Sequence, residues 1–185
     1  MLQLTIKTLA EITFDELQFL FAESKGCDGC WCMNHHFKDG TAPEGEAAQT
    51  ELKAKFKAGS IDSLVAFVAD EPVGWCAIDE KAKLLGHDCL KNGSQEANTW
   101  SIHCIFVNKA HRGKGISKHL IEAAIVYGKA KGAKVIEAYP MKVPPGKTLQ
   151  NPQYLFSGPF RTYEKLGFLE KEKVDDFYTI MSLIV

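Results

Sequence analysis

The sequence predicts a mixed α/β fold, built as one domain over residues 1–185. A length of 185 residues suits a single domain, and 45% hydrophobic residues are enough to bury a real core. Segments with strand-like and helix-like periodicity alternate along the chain. The run from Thr99 to Tyr139 has the order strand, glycine-rich turn, helix, strand, which predicts a β-α-β unit with two parallel strands.

The N-terminal half begins with a strand at residues 2–9, where apolar and polar residues alternate. FDELQFLFAES is an amphipathic helix. Its apolar stripe consists of Phe14, Leu17 and Phe21. AQTELKAKFKAG is a second helix, which ends at Gly59. SLVAFVAD and VGWCAIDE then predict a hairpin around residues 70–72.

The C-terminal half contains the strongest strand signal, TWSIHCIFV (Thr99–Val107). A helix is predicted over residues 114–131, where apolar residues recur at helical spacing until Gly132 stops it. KVIEAYP is the next strand. After a proline-bearing loop, FRTYEKLG predicts a helix, and FLEKEKV and FYTIMSLIV predict two closing strands.

Composition excludes several classes of protein. A net charge of -1 does not favour a nucleic-acid or anionic-membrane partner. We find no signal-peptide pattern at the N-terminus and no apolar run of the roughly 20 residues that a membrane helix needs. We therefore expect a cytoplasmic protein that binds neither membrane nor nucleic acid, with its six cysteines as free thiols, metal ligands or core residues.

The turn RGKGIS (Arg112–Ser117) predicts an anion-binding site, because it lies where a strand gives way to the start of a helix. Unpaired N–H groups and the helix dipole favour a phosphate there, and glycines let it approach the backbone. The segment lacks the G-x-x-x-x-G-K-[ST] of nucleotide-triphosphate loops. The dinucleotide motif G-x-G-x-x-G is interrupted by Lys118, although Glu137 would suit its ribose acid, so this alternative stays open.

The turn RGKGIS after an IFV strand, together with YEKLGF (Tyr163–Phe168), resembles the GNAT superfamily of N-acetyltransferases. Arg112 and Gly115 match the family's Q/R-x-x-G-x-G/A loop, and Ser117 replaces its last small residue. The element order resembles that fold over almost the whole chain. The resemblance implies a central, mostly antiparallel sheet with one splayed parallel strand pair, flanked by helices.

The resemblance also implies acetyl-coenzyme A as cosubstrate. The pyrophosphate would bind the backbone of Arg112, Gly113, Lys114, Gly115, Ile116 and Ser117. The pantetheine arm would follow the strand edge formed by Ile105, Phe106 and Val107. A solvated helix start with ordinary cap glycines is the alternative without a ligand.

Amine acetylation needs a base for the ammonium and an acid for the departing thiolate. Strand alternation predicts His103 on the same face as Ile105 and Val107, with Cys104 facing away and thus unsuited to act as a nucleophile. An imidazole suits the base, and Glu137 on the neighbouring strand is the second candidate. Either side chain could instead be a satisfied core group.

The family resemblance assigns the acid to Tyr163, in YEKLGF. A tyrosine hydroxyl, with an ordinary pKa of about 10, is a suitable acid. The asparagine that often precedes this tyrosine by seven residues is absent, since Phe156 stands there. A core-facing aromatic is the alternative role for Tyr163.

The stretch CDGCWCMNHH (residues 27–36) offers soft ligands for zinc. These ligands lie in one segment, whereas a closed structural zinc site usually takes its ligands from two segments separated in sequence. A redox dithiol at Cys27 and Cys30 is a further alternative. We predict no metal here, and interpret the segment as a loop packed by Trp31, Met33 and Phe37; the family resemblance implies that this loop covers the acceptor site. Its predicted acceptor-binding residues are Trp31 and Met33, together with Tyr139.

The predicted function is therefore acetyl-coenzyme A-dependent N-acetyl transfer to a primary amine, in a small molecule, amino acid or peptide, by direct transfer in a ternary complex. The alternative is a non-catalytic acyl-coenzyme A-binding or thiol- or zinc-sensing module on the same fold. A homodimer is compatible with both.

Overall fold

The structure, a computed structural model, describes residues 3–23, 29–38, 41–86, 93–142, 157–174 and 177–185. The strands are β1 (Leu4–Thr8), β2 (Ser63–Val68), β3 (Glu71–Glu80), β4 (Thr99–Val107), β5 (Val135–Ala138), β6 (Leu169–Lys173) and β7 (Thr179–Ile184). They form one sheet in the order β1-β2-β3-β4-β5-β7-β6. Neighbouring strands are antiparallel except β4 and β5, which are parallel. The predicted fold class is confirmed.

Four α-helices are described: α1 (Phe14–Glu23), α2 (Gly45–Ala58), α3 (Ile116–Ala130) and α4 (Phe160–Lys165). The predicted apolar stripe of α1 is buried. Gly59 ends α2 in the left-handed region at φ 61°, a conformation that glycine adopts without steric cost. In the described part of the chain, no helix combines the length and apolar character that a membrane span requires.

The hairpin between β2 and β3 turns earlier than predicted. Ala69 and Asp70 form the turn, with φ values of 48° and 68°, and Glu71 already belongs to β3. Two central residues with positive φ give a turn whose twist matches that of the flanking strands. Pro72 suggested a turn residue, but it lies inside the strand next to a register shift between β2 and β3.

Among the described residues, two large apolar cores lie on opposite faces of the sheet, and a small third cluster consists of Leu84, Tyr139 and Ile180. The α3-side core packs α3 against the sheet and includes Ile102, Ile105 and Leu120. The α1-side core packs α1, α2 and the Trp31 segment against the other face. The two cores bury the interior of β3 and β4 on both faces, so a polar side chain on these strands must find its partners inside the protein.

Candidate active site

The parallel pair β4–β5 separates partway along β4. Their pairing runs from Thr99 opposite Val135 to Ile102 opposite Ala138 and ends there. β4 continues to Val107, held on its other edge by β3 through pairs such as Val107–Gly74. β5 therefore does not pair with the last residues of β4, and these residues have an open strand edge on that side.

The glycine turn lies directly beyond this edge. Gly113 and Gly115 adopt φ values of 75° and 81°, and Gly115 is the N-cap of α3, with no side-chain capping bond. A Cβ added at either glycine would meet nothing within 4 Å, so the space in front of the turn is open. Arg112 Nε donates to the Val107 carbonyl at 2.9 Å and ties the turn to the end of β4. The first N–H groups of α3 are thus available to an anion.

A β-bulge in β4 overturns the face assignment that simple alternation predicts. Ile102 pairs with Ile78 and Cys104 with Ala77, which leaves His103 as an extra residue. Ile105 consequently lies with Ile102 in the α3-side core, whereas Cys104 lies in the α1-side core. His103 does not share a face with Ile105, and alternation no longer separates Cys104 from it.

His103 is fully buried, and its ring contacts the rings of His35 and His36 at centroid distances of 4.9 and 5.6 Å. Nδ1 lies 3.2 Å from the Ser101 carbonyl oxygen, which can only accept, so Nδ1 carries the proton. Among the described residues, Nε2 has no hydrogen-bond partner. Burial lowers the pKa of His103 to about 4, which leaves the imidazole neutral at neutral pH.

Asp79 on β3 and His36 complete a buried polar cluster around His103. Burial raises the pKa of Asp79 to about 8 and lowers that of His36 to about 3. The distance of 3.8 Å between His36 Nε2 and Asp79 Oδ2 is therefore a contact between two neutral groups at neutral pH, and not an ion pair. Asp79 was not among the candidate residues predicted from the sequence, and His36 was considered only as one of the zinc ligands in residues 27–36. Two adjacent histidines after a buried CWCM segment and an aspartate inside an apolar strand were the available signals.

Glu137 is held on all sides. It forms a 2.9 Å ion pair with Lys81, accepts a hydrogen bond from the Ser94 backbone N–H, and accepts another from the Tyr139 hydroxyl at 3.1 Å. The Tyr139 hydroxyl also lies 3.0 Å from Ser101 Oγ. Tyr139, which was predicted to bind the acceptor, is itself buried. Its hydroxyl positions the Glu137 carboxylate.

Tyr163 lies beside the diverging strands. Its hydroxyl donates to the Ser157 carbonyl at 3.0 Å, and its side chain is fully buried in the α3-side core. A Cβ on Gly158 would approach both the Tyr163 hydroxyl and Ile105 Cδ1 at 3.1 Å, so these groups surround one point of the chain. Burial raises the pKa of Tyr163 well above its ordinary value, which keeps the phenol protonated.

Trp31 and Met33 belong to the α1-side core. Trp31 stacks on Phe21 at 5.4 Å and is 9% exposed, and Met33 is buried. Trp31 and Cys32 both have positive φ, and Cys32 Sγ accepts from the Trp75 indole N–H at 3.2 Å. These two predicted acceptor residues thus pack inside the α1-side core. Cys27, Phe156 and most of the loop after Lys142 lie outside the described residues.

Comparison with known proteins agrees with this architecture. The profile of the Acetyltransferase (GNAT) family matches residues 31–143. An uncharacterized N-acetyltransferase of Methanocaldococcus jannaschii is 34% identical over 83 residues, which are 45% of this chain and 31% of that relative. The chain thus matches less than a third of the length of this curated relative.

Two solved structures share the fold over nearly the whole chain. An N-acetyltransferase from Staphylococcus aureus Mu50 has a TM-score of 0.62 and 15% identity, and the match covers 98% of both chains. The yncA protein of Salmonella typhimurium, solved with its cofactor acetyl-CoA, has a TM-score of 0.54 and 16% identity over 98% of this chain and 93% of that one. The family match, the sheet order and the separated strand pair lead to one conclusion: this chain belongs to the GNAT acetyltransferase family.

Proposed function

We propose that the protein is an acetyl-coenzyme A-dependent N-acetyltransferase that acts on a primary amine by direct transfer in a ternary complex. The observation that carries this proposal is the separation of β4 from β5 beside the open, glycine-lined start of α3. A thioester arm needs a strand edge, and a pyrophosphate needs free N–H groups; the two lie next to each other here.

The cosubstrate would contact mainly backbone. Ile116 is buried, so it offers its N–H group and not its side chain. The same holds for Ile105, whose side chain fills the α3-side core while its backbone lies on the open stretch of β4. Gly113 and Gly115 keep the turn free of side chains, and Arg112, Lys114 and Ser117 border it. Phe106 and Val107 continue the strand edge toward the turn.

The chemistry is a single displacement. The amine nitrogen attacks the thioester carbonyl carbon, a C–N bond forms, and the C–S bond breaks. The proton lost by the amine passes to a base, and the departing thiolate receives the proton of an acid. Tyr163 suits the acid because its phenol is protonated and lies beside Ile105 on the open edge.

His103 suits the base better than Glu137 does. The Glu137 carboxylate already binds Lys81, Ser94 and Tyr139. His103 presents an Nε2 atom without a hydrogen-bond partner in the described part of the chain. We place the acceptor near this atom. Trp31 and Met33 would support the covering loop, and Tyr139 would hold Glu137 in place.

The test is titration of the purified protein with acetyl-coenzyme A in a calorimeter, followed by a thiol-release assay over small amines, amino acids and peptides. We expect binding, and release with one amine class. Binding without release across the panel would favour the non-catalytic acyl-coenzyme A-binding module. No binding would contradict the proposal.

Substitution of Tyr163 by Phe tests the acid. We expect kcat to fall about 100-fold, because proton transfer to the thiolate is lost, while acetyl-coenzyme A affinity changes little. Tyr127→Phe is the matched control, since Tyr127 lies on the far part of α3 and its hydroxyl donates to Asp62. Equal kcat values for the two variants would remove Tyr163 from the mechanism.

A further inference from the structure

Three side chains from separate elements converge inside the protein. The ligand-type atoms of His36, Asp79 and His103 all lie within 4.8 Å of one another. His36 comes from the 3-10 turn Asn34–His36, Asp79 from β3, and His103 from the β4 bulge. The β4 bulge contributes to this arrangement, because it inserts His103 as an extra residue opposite the part of β3 that carries Asp79.

Two of the three side chains are held by backbone groups at the atom that does not point into the cluster. His103 Nδ1–H donates to the Ser101 carbonyl, which leaves the Nε2 lone pair for the cluster. Asp79 Oδ1 accepts from the Asp62 backbone N–H at 2.9 Å, which leaves Oδ2. Histidines that bind metals are usually oriented in this way, by a carbonyl or carboxylate on the second ring nitrogen.

The two atoms left over are buried without partners. In the described ranges, His103 Nε2 and Asp79 Oδ2 have no hydrogen-bond partner. A buried polar atom without a partner carries the full cost of its lost hydration, so two of them in one cluster indicate a missing ligand. His103 Nε2 offers a lone pair, and the Asp79 carboxylate offers another once the ion displaces the carboxyl proton to solvent, so a cation is the ligand that both groups can bind.

We propose that His36 Nε2, Asp79 Oδ2 and His103 Nε2 form a binding site for one borderline divalent transition-metal ion, of the zinc or cobalt class. Two imidazoles and one carboxylate are the donor set of open zinc sites, and they leave at least one position for water or another ligand. Ligand atoms around tetrahedral zinc lie about 3.3 Å apart at bond lengths of about 2.0–2.1 Å. The three ligand-type atoms lie within 4.8 Å of one another, with 3.8 Å between His36 Nε2 and Asp79 Oδ2, so side-chain rotations must bring them closer when an ion binds.

The site connects the Asn34–His36 turn to the middle of the sheet. A bound ion would also occupy His103 Nε2 and prevent it from accepting a proton. Metal binding would then inhibit acetyl transfer; this consequence rests on the proposed function, whereas the metal site itself does not.

The experiment uses the full chain without a histidine tag, stripped of metal. Zn²⁺ is titrated by calorimetry, and Co²⁺ is followed by its visible absorption. We expect one ion per chain and the absorption of a four- or five-coordinate cobalt complex. Zinc should also raise the resistance to urea unfolding.

Asp79→Asn and His103→Gln should each weaken binding at least about 100-fold. Asp79→Asn keeps an oxygen that accepts from the Asp62 N–H, so it separates metal loss from folding loss; circular dichroism and unfolding confirm the fold. The matched control is His119→Gln, which removes an exposed histidine 3.1 Å from Glu122 on α3 and should leave binding unchanged.

Three results would overturn the proposal: no binding to the wild type, binding unchanged in folded Asp79→Asn, or binding lost in Cys30→Ser but kept in the two cluster variants. The last would assign the metal to the cysteine segment. If zinc binds as proposed and acetyl transfer continues at the metal-free rate, His103 is not the base, and the metal site stands.

Discussion

Glu137 and Asp79 are both buried carboxylates, but their surroundings differ. Glu137 binds an ammonium, a hydroxyl and a backbone N–H. Asp79 has one backbone N–H, on Oδ1, and its burial raises the pKa to about 8. Glu137 therefore belongs to a compensated network, whereas Asp79 has an unused atom. This contrast does not follow from residue type, because both residues are carboxylates on strands and both side chains point into the protein interior.

The Lys81–Glu137 pair should be strongly coupled. We expect Lys81→Met to lower the free energy of unfolding by about 3 kcal/mol, since it leaves the Glu137 charge buried without its partner. Adding Glu137→Gln to that variant should restore part of the loss. Urea unfolding measures both changes.

Lys118→Met is the control for this prediction, because Lys118 is half-exposed and its contact with Glu122 at 3.2 Å lies at the surface. It should cost less than about 1 kcal/mol. Equal losses for the two lysine variants would mean that the buried pair contributes no more than a surface pair.

The β4 bulge is the local feature that determines the candidate site. The sequence TWSIHCIFV carries an uninterrupted strand signal, and its limits, Thr99 and Val107, were predicted correctly. Alternation across that strand failed beyond Ile102, since the bulge adds His103 opposite β3. A bulge depends on how a strand pairs with its neighbour, and this pairing cannot be predicted from the residues of the one strand alone.

The start of α1 offers a prediction about pH. Glu16 accepts hydrogen bonds from the Thr13 backbone N–H at 2.7 Å and from its hydroxyl at 2.9 Å. These bonds, led by that of the backbone N–H, lower the pKa of Glu16 from 4.5. The carboxylate therefore stabilises the fold above the Glu16 pKa of the unfolded chain. This stabilisation is lost as the pH falls through the lower pKa of the folded chain.

We expect Glu16→Ala to lower the free energy of unfolding by about 1 kcal/mol at pH 7. Asp15→Ala is the control, since it removes the same charge from the same helical turn and should cost only about 0.3 kcal/mol. The excess of Glu16→Ala should disappear near pH 3 in urea titrations. An excess that persists there would rule out the capping carboxylate as its source.

The described residues form one sheet with a large apolar core on each face, and this predicts a single cooperative unit over residues 1–185. Leu120, fully buried in the α3-side core, and Leu52, fully buried in the α1-side core, report on the two faces. We expect Leu120→Ala and Leu52→Ala each to cost about 2–5 kcal/mol and to shift the same transition.

The control is Val126→Ala, on the same helix as Leu120 but 68% exposed, which should change stability by less than about 0.5 kcal/mol. Tryptophan fluorescence and circular dichroism should give coincident unfolding curves in every variant. Separate transitions for the two leucine variants would contradict a single domain.

The sequence by itself determined the elements, the fold class and the glycine turn. Apolar periodicity predicts α1 and α3. Turns that need positive φ are indicated by three glycines, Gly59, Gly113 and Gly115. Each of these signals is local, because it lies within a single segment of the chain. Only the tertiary structure decided which side chains share a site. Trp31 and Met33 entered a core, Tyr139 became the support of Glu137, and His36, Asp79 and His103 met across three elements. Such contacts depend on strand register, which is set by the packing of distant segments and leaves no pattern within any one of them.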